Sequence, residues 1–267
     1  MCLITTYNIN MNKIPHLFET ICLNILRAEN FVSSSGRPRR ADFKEILNCI
    51  WIVLRTGMPW RMLQTVNVKT PWNTVFYYFS AWSKCQLFKK AYKFLLKIRQ
   101  KSKKKDEYHI IDSTFIKNVY GIDCVGRNPT DRGRKATKMS ALVNDEGMPI
   151  SIVFLKANCH DATTVQQTID AMMIQKPTNK IPFMGDKGYP SKKNSKIITD
   201  AGYLDRISRK KHKTVPRQNA KRCTVEHTFS WLDKYRRLLM RFEKKITTYE
   251  SFTFIALCSI LSKRIVT

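Results

Sequence analysis

Acidic residues are scarce: 20 Asp and Glu stand against 48 Lys and Arg in 267 residues, a formal net charge of +28. Solubility needs nothing of that size, so a polyanion is the expected partner, nucleic acid before membrane. Paired cysteine motifs are absent as well. The eight cysteines form no CxxC pair and no Cys/His ligand pattern, which argues against a zinc site or a disulfide framework and for reduced core thiols. Long apolar runs are missing. The best, around 46–54 and 252–261, are too short for a bilayer and carry polar residues. No basic segment followed by a clean apolar stretch opens the chain, so an intracellular protein is expected, in a bacterial cytoplasm or nucleoid or in a nucleus. Internal repeats and low-complexity segments are lacking too. What is present, 43% hydrophobic and 11% aromatic residues, suits a globular protein of one large domain or two smaller ones.

The first half reads as helical. Residues 14–28 form a short amphipathic pattern, and GRPRR (36–40) is a basic linker. Asp42 is placed to cap a helix, with Glu45 as its capping-box partner and Gly57-Met58-Pro59 as the stop. Further helices are expected over 70–82 and 87–98, with Asn73, Thr74 and Tyr77 outward and the 72–82 aromatics mostly in the core. Three short helices with a Gly-containing turn suit a helix-turn-helix-like module, or a plain bundle. The basic run KIRQKSKKK (97–105) reads as a hinge. The expected division is an N-terminal arm over 1–38, a helical DNA-binding domain over 39–103 and an α/β domain over 104–267.

Beyond the hinge the pattern turns to strands. YHIID (108–112) reads as a buried strand ending in Asp112; 138–143 and 149–155 read as a hairpin; 181–184 is a short strand leading to Asp186. Helices are expected over 161–173, 192–201, 218–240 and 249–265, the last packing on the sheet, with a further strand over 203–207. On the 218–240 helix, Arg222, Glu226, Asp233 and Arg237 share one stripe beside an apolar face. Strand ends of an open α/β sheet converge on the edge where ligands bind. Three carboxylates meeting there, Asp112, Asp186 and Glu226, would repel one another unless cations neutralise them. Oxygen ligands of that kind suit Mg²⁺ or Mn²⁺, and two such ions can clamp a phosphodiester displacement.

These residues carry a family resemblance. IIDST, GDKGY and RCTVEHTFSWLDKYRRL, with ANCHDATT between the first two and GRPRRADFKEILNCIWIVLRTGMPWRML and TPWNTVFYYFSAW upstream, resemble the DDE transposases of bacterial insertion sequences, in particular the insertion-sequence-five type. The resemblance spans nearly the whole chain from Gly36. It implies an RNase H-like mixed sheet with helices, preceded by an all-α, helix-turn-helix-like domain. It also implies metal-dependent cleavage at transposon ends and strand transfer into target DNA. Asp112, Asp186 and Glu226 would then be the catalytic, metal-holding acids of two Mg²⁺ or Mn²⁺ ions.

Arg222 and Lys187 are candidates for backbone phosphates. Basic clusters after the first strand (Arg127, Arg132, Arg134, Lys135, Lys138) and before the 218–240 helix (Arg209, Lys210, Lys211, Lys213) read as DNA tracks. His160 and Asp161 read first as a helix cap, the other reading being a pair that supports the metal-holding acids, with Asp161 the main rival for a metal carboxylate; Asp123, Asp131 and Asp145 read as solvated loop acids. The expected partners are double-stranded DNA, as terminal inverted repeats and target, and a second copy of the chain, with no membrane and no small-molecule substrate. Two other readings stay open: a site-unspecific RNase H-type nuclease and a domesticated, inactive DNA-binding protein.

Overall fold

A computed structural model describes residues 14–29, 42–102, 105–177, 179–208 and 216–266, with the backbone alone for 216–222 and 266. Four helices come first: α1 (His16–Ala28), α2 (Phe43–Thr56), α3 (Trp72–Lys84) and α4 (Leu87–Ser102). The α2 boundaries follow from local chemistry. Asp42 accepts from the Glu45 amide, and Gly57, at φ 73°, closes the helix in the left-handed region. The reciprocal half of the expected capping box is replaced. Glu45 instead accepts the amides of Lys69 and Thr70, at 2.8 and 2.9 Å, and so ties the loop before α3 to the start of α2.

The rest of the chain is built on β1 (His109–Asn118). It pairs antiparallel with β3 (Lys135–Asn144), which pairs antiparallel with β4 (Pro149–Lys156). On its other side β1 pairs parallel with β5 (Pro182–Met184), and β5 pairs parallel with β6 (Leu204–Asp205). Helices α5 (Asp161–Asp170) and α6 (Lys192–Asp200) make the crossovers that parallel neighbours require. The order β4-β3-β1-β5-β6, three antiparallel strands and then two parallel ones, is the mixed sheet expected of an RNase H-like fold. Two short strands extend it: β2 (Gly126–Arg127) on β3, and β7 (Met240–Arg241) on β1.

Three expectations need correction. β1 does not end at Asp112; it runs six residues further, because 113–117 keep partners on β3 and 117–118 on β7. The helix expected over 218–240 is α7 (Pro216–Asp233) and stops earlier, so Arg237 leaves the Glu226 stripe. Arg237 is instead buried and paired with Glu243 at 2.7 Å. The closing helix, α8 (Ile246–Val266), packs against α1–α4 as well as towards the sheet.

Two cores flank the sheet. One gathers the apolar faces of α1–α4, α7 and α8 with Ile110, Ile116, Met139 and Val143 of the sheet. Residues on both sides of position 103 therefore share it. At its centre the rings of Phe79 and Phe252 lie 4.5 Å apart, both fully buried, and each contributes about 2–3 kcal/mol by leaving water. The other core packs Ile111, Leu142 and Phe183 against Val165, Ile169 and Ile198 of α5 and α6. Even-numbered residues of β1 thus face α7 and α8, and Ile111 faces α5 and α6, as the strand period of two demands.

Candidate active site

Asp112 and Asp186 are brought together by strand register. His109 stands opposite Phe183 and Ile110 opposite Met184. Two residues further along the same parallel pair come Asp112 and, just past the end of β5, Asp186. The close approach at Gly185, where a Cβ would lie 2.9 Å from Ile111 Cγ2, shows that the chains stay adjacent over this step. Both acids are half-buried. The Asp112 carboxylate accepts the Ser113 amide at 2.8 Å, and Asp186 Oδ1 accepts the Gly188 amide at 2.7 Å.

Asp161 joins them from the first turn of α5. Its Oδ1 accepts from Ser113 Oγ at 2.7 Å and from Lys138 Nζ at 2.9 Å. His160, the residue before it, caps the helix, its Nδ1 accepting from the Ala162 amide, as the cap reading expects. Lys138 departs from expectation. It lies inside β3 and is buried, with its ammonium turned to Asp161, so it is no part of a DNA track.

Gly188 separates the two acids. A Cβ there would stand 3.0 Å from Asp186 Oδ1 and 3.5 Å from Asp161 Oδ2, so glycine keeps an open cradle between the carboxylates. Beneath it the Tyr189 hydroxyl is buried without a hydrogen-bond partner among the described residues. Burial first, then the charges of Asp112, Asp161 and Asp186, push that hydroxyl far above its ordinary value. The Ser113 side chain opposes the shift without cancelling it. An all-oxygen set of carboxylates around a cradle a side chain would fill suits a hard divalent cation. Among the described residues no group of three His, Cys, Asp or Glu side chains stands close enough to hold an ion in the present arrangement.

Glu226 is exposed on α7. That helix is anchored just beyond it. Thr228 Oγ1 donates to the Gly147 carbonyl at 2.6 Å, while Phe229 and Leu232 border a small cavity shared with Thr114 and Ile116 of β1. Glu226 therefore rides on a helix laid over the face of β1 that carries Asp112, and the structure does not bring it into the Asp112–Asp186 group.

Lys187 is exposed on the turn between Asp186 and Gly188, in an open cleft lined also by His160, Ser191 and Lys192. Arg132 and Arg134 are exposed in the tight turn joining β2 to β3, and Lys135 opens β3 opposite Arg127. Asn73 is exposed and Thr74 half-exposed at the start of α3. Arg209, Lys210, Lys211 and Lys213 fall outside the described residues, and Arg222 lies on α7 where only the backbone is described. Asp123 is no solvated loop acid. It caps α8 through the Ile246 amide and pairs with Arg241, an ion pair between segments too distant for any sequence pattern to reveal. Asp145 accepts the Glu107 amide at 3.1 Å, and Asp131 pairs loosely with Arg134 at 3.9 Å.

The seven described cysteines are free thiols, but only Cys22, Cys49 and Cys258 are buried core thiols, burial pushing Cys49 up to about 11, while Cys85, Cys124 and Cys159 are half-buried and Cys223 is exposed. Among the described residues no helix is long and apolar enough to cross a membrane.

The mixed sheet, with Asp112 inside β1 and Asp186 just past β5, has the build expected of an RNase H-like enzyme. A family model described as "Transposase DDE domain" matches residues 103–261, more than half of the chain, and one described as "Putative transposase of IS4/5 family" matches residues 21–92. The chain belongs to the DDE transposases of the IS4/5 type, DNA-cleaving and strand-transferring enzymes that depend on divalent metal. A relative in Burkholderia cepacia, "Putative transposase for insertion sequence element IS402", is 29% identical over 157 residues, covering 57% of this chain and 72% of that protein. Similar solved structures include a pre-cleavage Mos1 transpososome, at TM-score 0.31 and 11% identity over 89% of this chain and 84% of that one. A Mos1 mariner paired end complex with Mn scores 0.30 at 11% identity, over 90% and 83%. It is the strand order, not these scores, that carries the fold.

Proposed function

We propose that Asp112, Asp186 and Glu226 are the catalytic acids of this transposase and hold two divalent ions, Mg²⁺ or Mn²⁺. The observation that carries the proposal is the parallel register of β5 on β1, which sets Asp112 and Asp186 side by side. Glu226 would complete the set from α7, which lies over the same face of β1. When bound, such ions supply charge neutralisation and Lewis acidity at the scissile phosphate. Water attacks the phosphodiester at a transposon end and the 3′ oxygen leaves as a hydroxyl. That hydroxyl then attacks a target-strand phosphorus, and one phosphodiester replaces another.

The remaining residues bind and orient DNA. Lys187 stands beside Asp186 to meet a backbone phosphate, and Arg222, one helical turn before Glu226, anchors the scissile strand. The β2–β3 turn, with Arg132, Arg134 and Lys135, and the segment with Arg209, Lys210 and Lys211 follow the duplex backbone. Asn73 and Thr74 of α3, within the helical domain over 39–103, face a groove. Two ends must be held at once, so the working unit is a dimer on terminal inverted repeats and target, inside the compartment that holds the DNA.

The test is a gel assay of nicking and joining on duplexes bearing the element's ends, with Mg²⁺. Asp112→Asn and Asp186→Asn are each expected to lose cleavage by about a thousandfold or more while keeping DNA affinity, and a chelator should do the same to the parent. Cleavage retained by either variant overturns the assignment. Cutting without joining, on any sequence, would favour a nuclease.

A further inference from the structure

Lys138 is a buried charge beside the proposed site that the proposed reaction leaves without a task. Only 3% of its side chain is exposed. Its ammonium donates to the Cys159 carbonyl at 2.5 Å and to Asp161 Oδ1 at 2.9 Å, and lies 5.0 Å from the centre of the Phe115 ring. Taking an ammonium out of water costs several kcal/mol, and a buried ion pair rarely returns more than it costs. Stability alone is therefore a poor reason for a lysine here.

Its position supplies a better one. Asp161 Oδ1, which takes the ammonium, also takes Ser113 Oγ, and Ser113 is the residue whose amide the Asp112 carboxylate accepts. Asp161 Oδ2 faces Gly188, across which lies Asp186 Oδ1. The Lys138 charge thus stands behind one carboxylate that is linked on one side to Asp112 and on the other to Asp186.

We propose that Lys138 is a built-in counter-cation of the catalytic carboxylates. With Asp161 as its relay, it offsets their mutual repulsion before metal arrives and sets the affinity of the site for divalent ions. Asp161 is then a positioning residue, its Oδ1 already committed to Lys138 and Ser113. This rests on the assignment of Asp112, Asp186 and Glu226 above.

The charge logic makes opposite predictions for the two partners. Removing the positive charge, in Lys138→Met or Lys138→Gln, should tighten Mn²⁺ binding by about tenfold, since a unit charge a few ångströms from a divalent ion is worth at least that at an effective dielectric near 20. Removing the negative charge, in Asp161→Asn, should weaken it by about the same factor. The Lys138→Met, Asp161→Asn double variant should return close to the parent. A purely structural role would weaken binding in all of them, and a direct metal-ligand role for Asp161 would leave the double variant weak.

The measurement is Mn²⁺ titration of the full chain without DNA, followed by electron paramagnetic resonance of free Mn²⁺, with thermal melts of the metal-free proteins alongside. Asp112→Asn and Asp186→Asn serve as controls. If they leave Mn²⁺ binding untouched, the site assignment itself fails. If they weaken it but the Lys138 and Asp161 variants do not move in opposite directions, the counter-cation proposal alone fails. Should neither Lys138 variant melt cooperatively, Asp161→Asn decides, and unchanged affinity overturns the proposal.

Discussion

Asp123 and Arg241 meet across 118 residues of sequence at the point where the far end of β1 adjoins the start of α8. Arg241 is fully buried. Besides the Asp123 carboxylate, its guanidinium donates to Thr137 Oγ1 at 2.9 Å and to the carbonyls of Asp123, Glu243 and Lys244 at 2.6, 3.1 and 3.0 Å. Asp123 also accepts the Ile246 amide, the first of α8, at 2.9 Å. One carboxylate thus caps a helix and balances a buried cation. Asp123→Ala should cost about 2–3 kcal/mol, from a lost charged hydrogen bond and a lost cap. Asp123→Asn keeps an acceptor and should cost less. Urea denaturation measures both, and equal losses in the two variants would show that the charge is immaterial.

A buried acid makes stability depend on pH. Glu243 pairs with Arg237 through Oε1, while Oε2 has no hydrogen-bond partner among the described residues. Burial raises its carboxyl above the ordinary 4.5, and Arg237 opposes the rise without cancelling it. The folded state therefore holds this proton more tightly than the unfolded chain does. Stability from this group is greatest below the unfolded value and falls as pH rises through the raised folded one. Glu243→Gln lacks that decline. Its stability relative to the parent should improve between about pH 4.5 and pH 7, and denaturation midpoints at the two ends of that window would show it. A constant offset would mean that Glu243 ionises in the folded protein as it does in the unfolded chain.

The basic turn between β2 and β3 predicts salt dependence. Arg132, Arg134 and Lys135 are all exposed there, and only Arg134 has an acid nearby, Asp131 at 3.9 Å. Each phosphate neutralised contributes about 0.9 to the slope of log affinity against log salt. Replacing all three by alanine should lower that slope by about 2 to 3, with little change in folding stability because exposed charges contribute little. Filter binding at several salt concentrations gives the slope, and an unchanged value would remove this turn from the DNA path.

Much of this fold was legible because its signals are local. Asp42 and Gly57 bound α2 by chemistry that acts within one turn, and the run before Asp186 is a short apolar strand in sequence and in structure. What escaped was set by distant partners. Residues 113–118 mix polar and apolar types, and only β3 and β7 hold them in a strand. No Gly or Pro marks the end of α7. The chain turns there as Arg237 and Arg241 are drawn to Glu243 and Asp123. Lys138 reads as one more charge in a basic stretch, and only the neighbouring Asp161, 23 residues on, reveals its burial. At the candidate site, Asp186 is legible as an acid just past a strand end, while Asp112, read as the end of a strand, lies inside β1. Asp161 read chiefly as part of a cap, since its contact with Lys138 is long-range.

The glycine between those acids allows a prediction that separates geometry from stability. Gly188 donates its amide to Asp186 Oδ1 at 2.7 Å, and a methyl group on it would stand 3.0 Å from that same oxygen. Such a contact is tighter than almost all carbon–oxygen contacts at a Cβ, so the Asp186 carboxylate must give way by a few tenths of an ångström. Its backbone is not left-handed, so alanine there meets no conformational strain of its own. Gly188→Ala should therefore fold nearly as well as the parent, with a midpoint within about 3 °C. Metal-dependent cleavage should fall by about tenfold or more, which asks for only about 1.4 kcal/mol at the transition state. Gly188→Ser should do at least as much harm. Full cleavage in the alanine variant would mean that Asp186 tolerates displacement, and then the register beside Asp112 would not be what the chemistry uses.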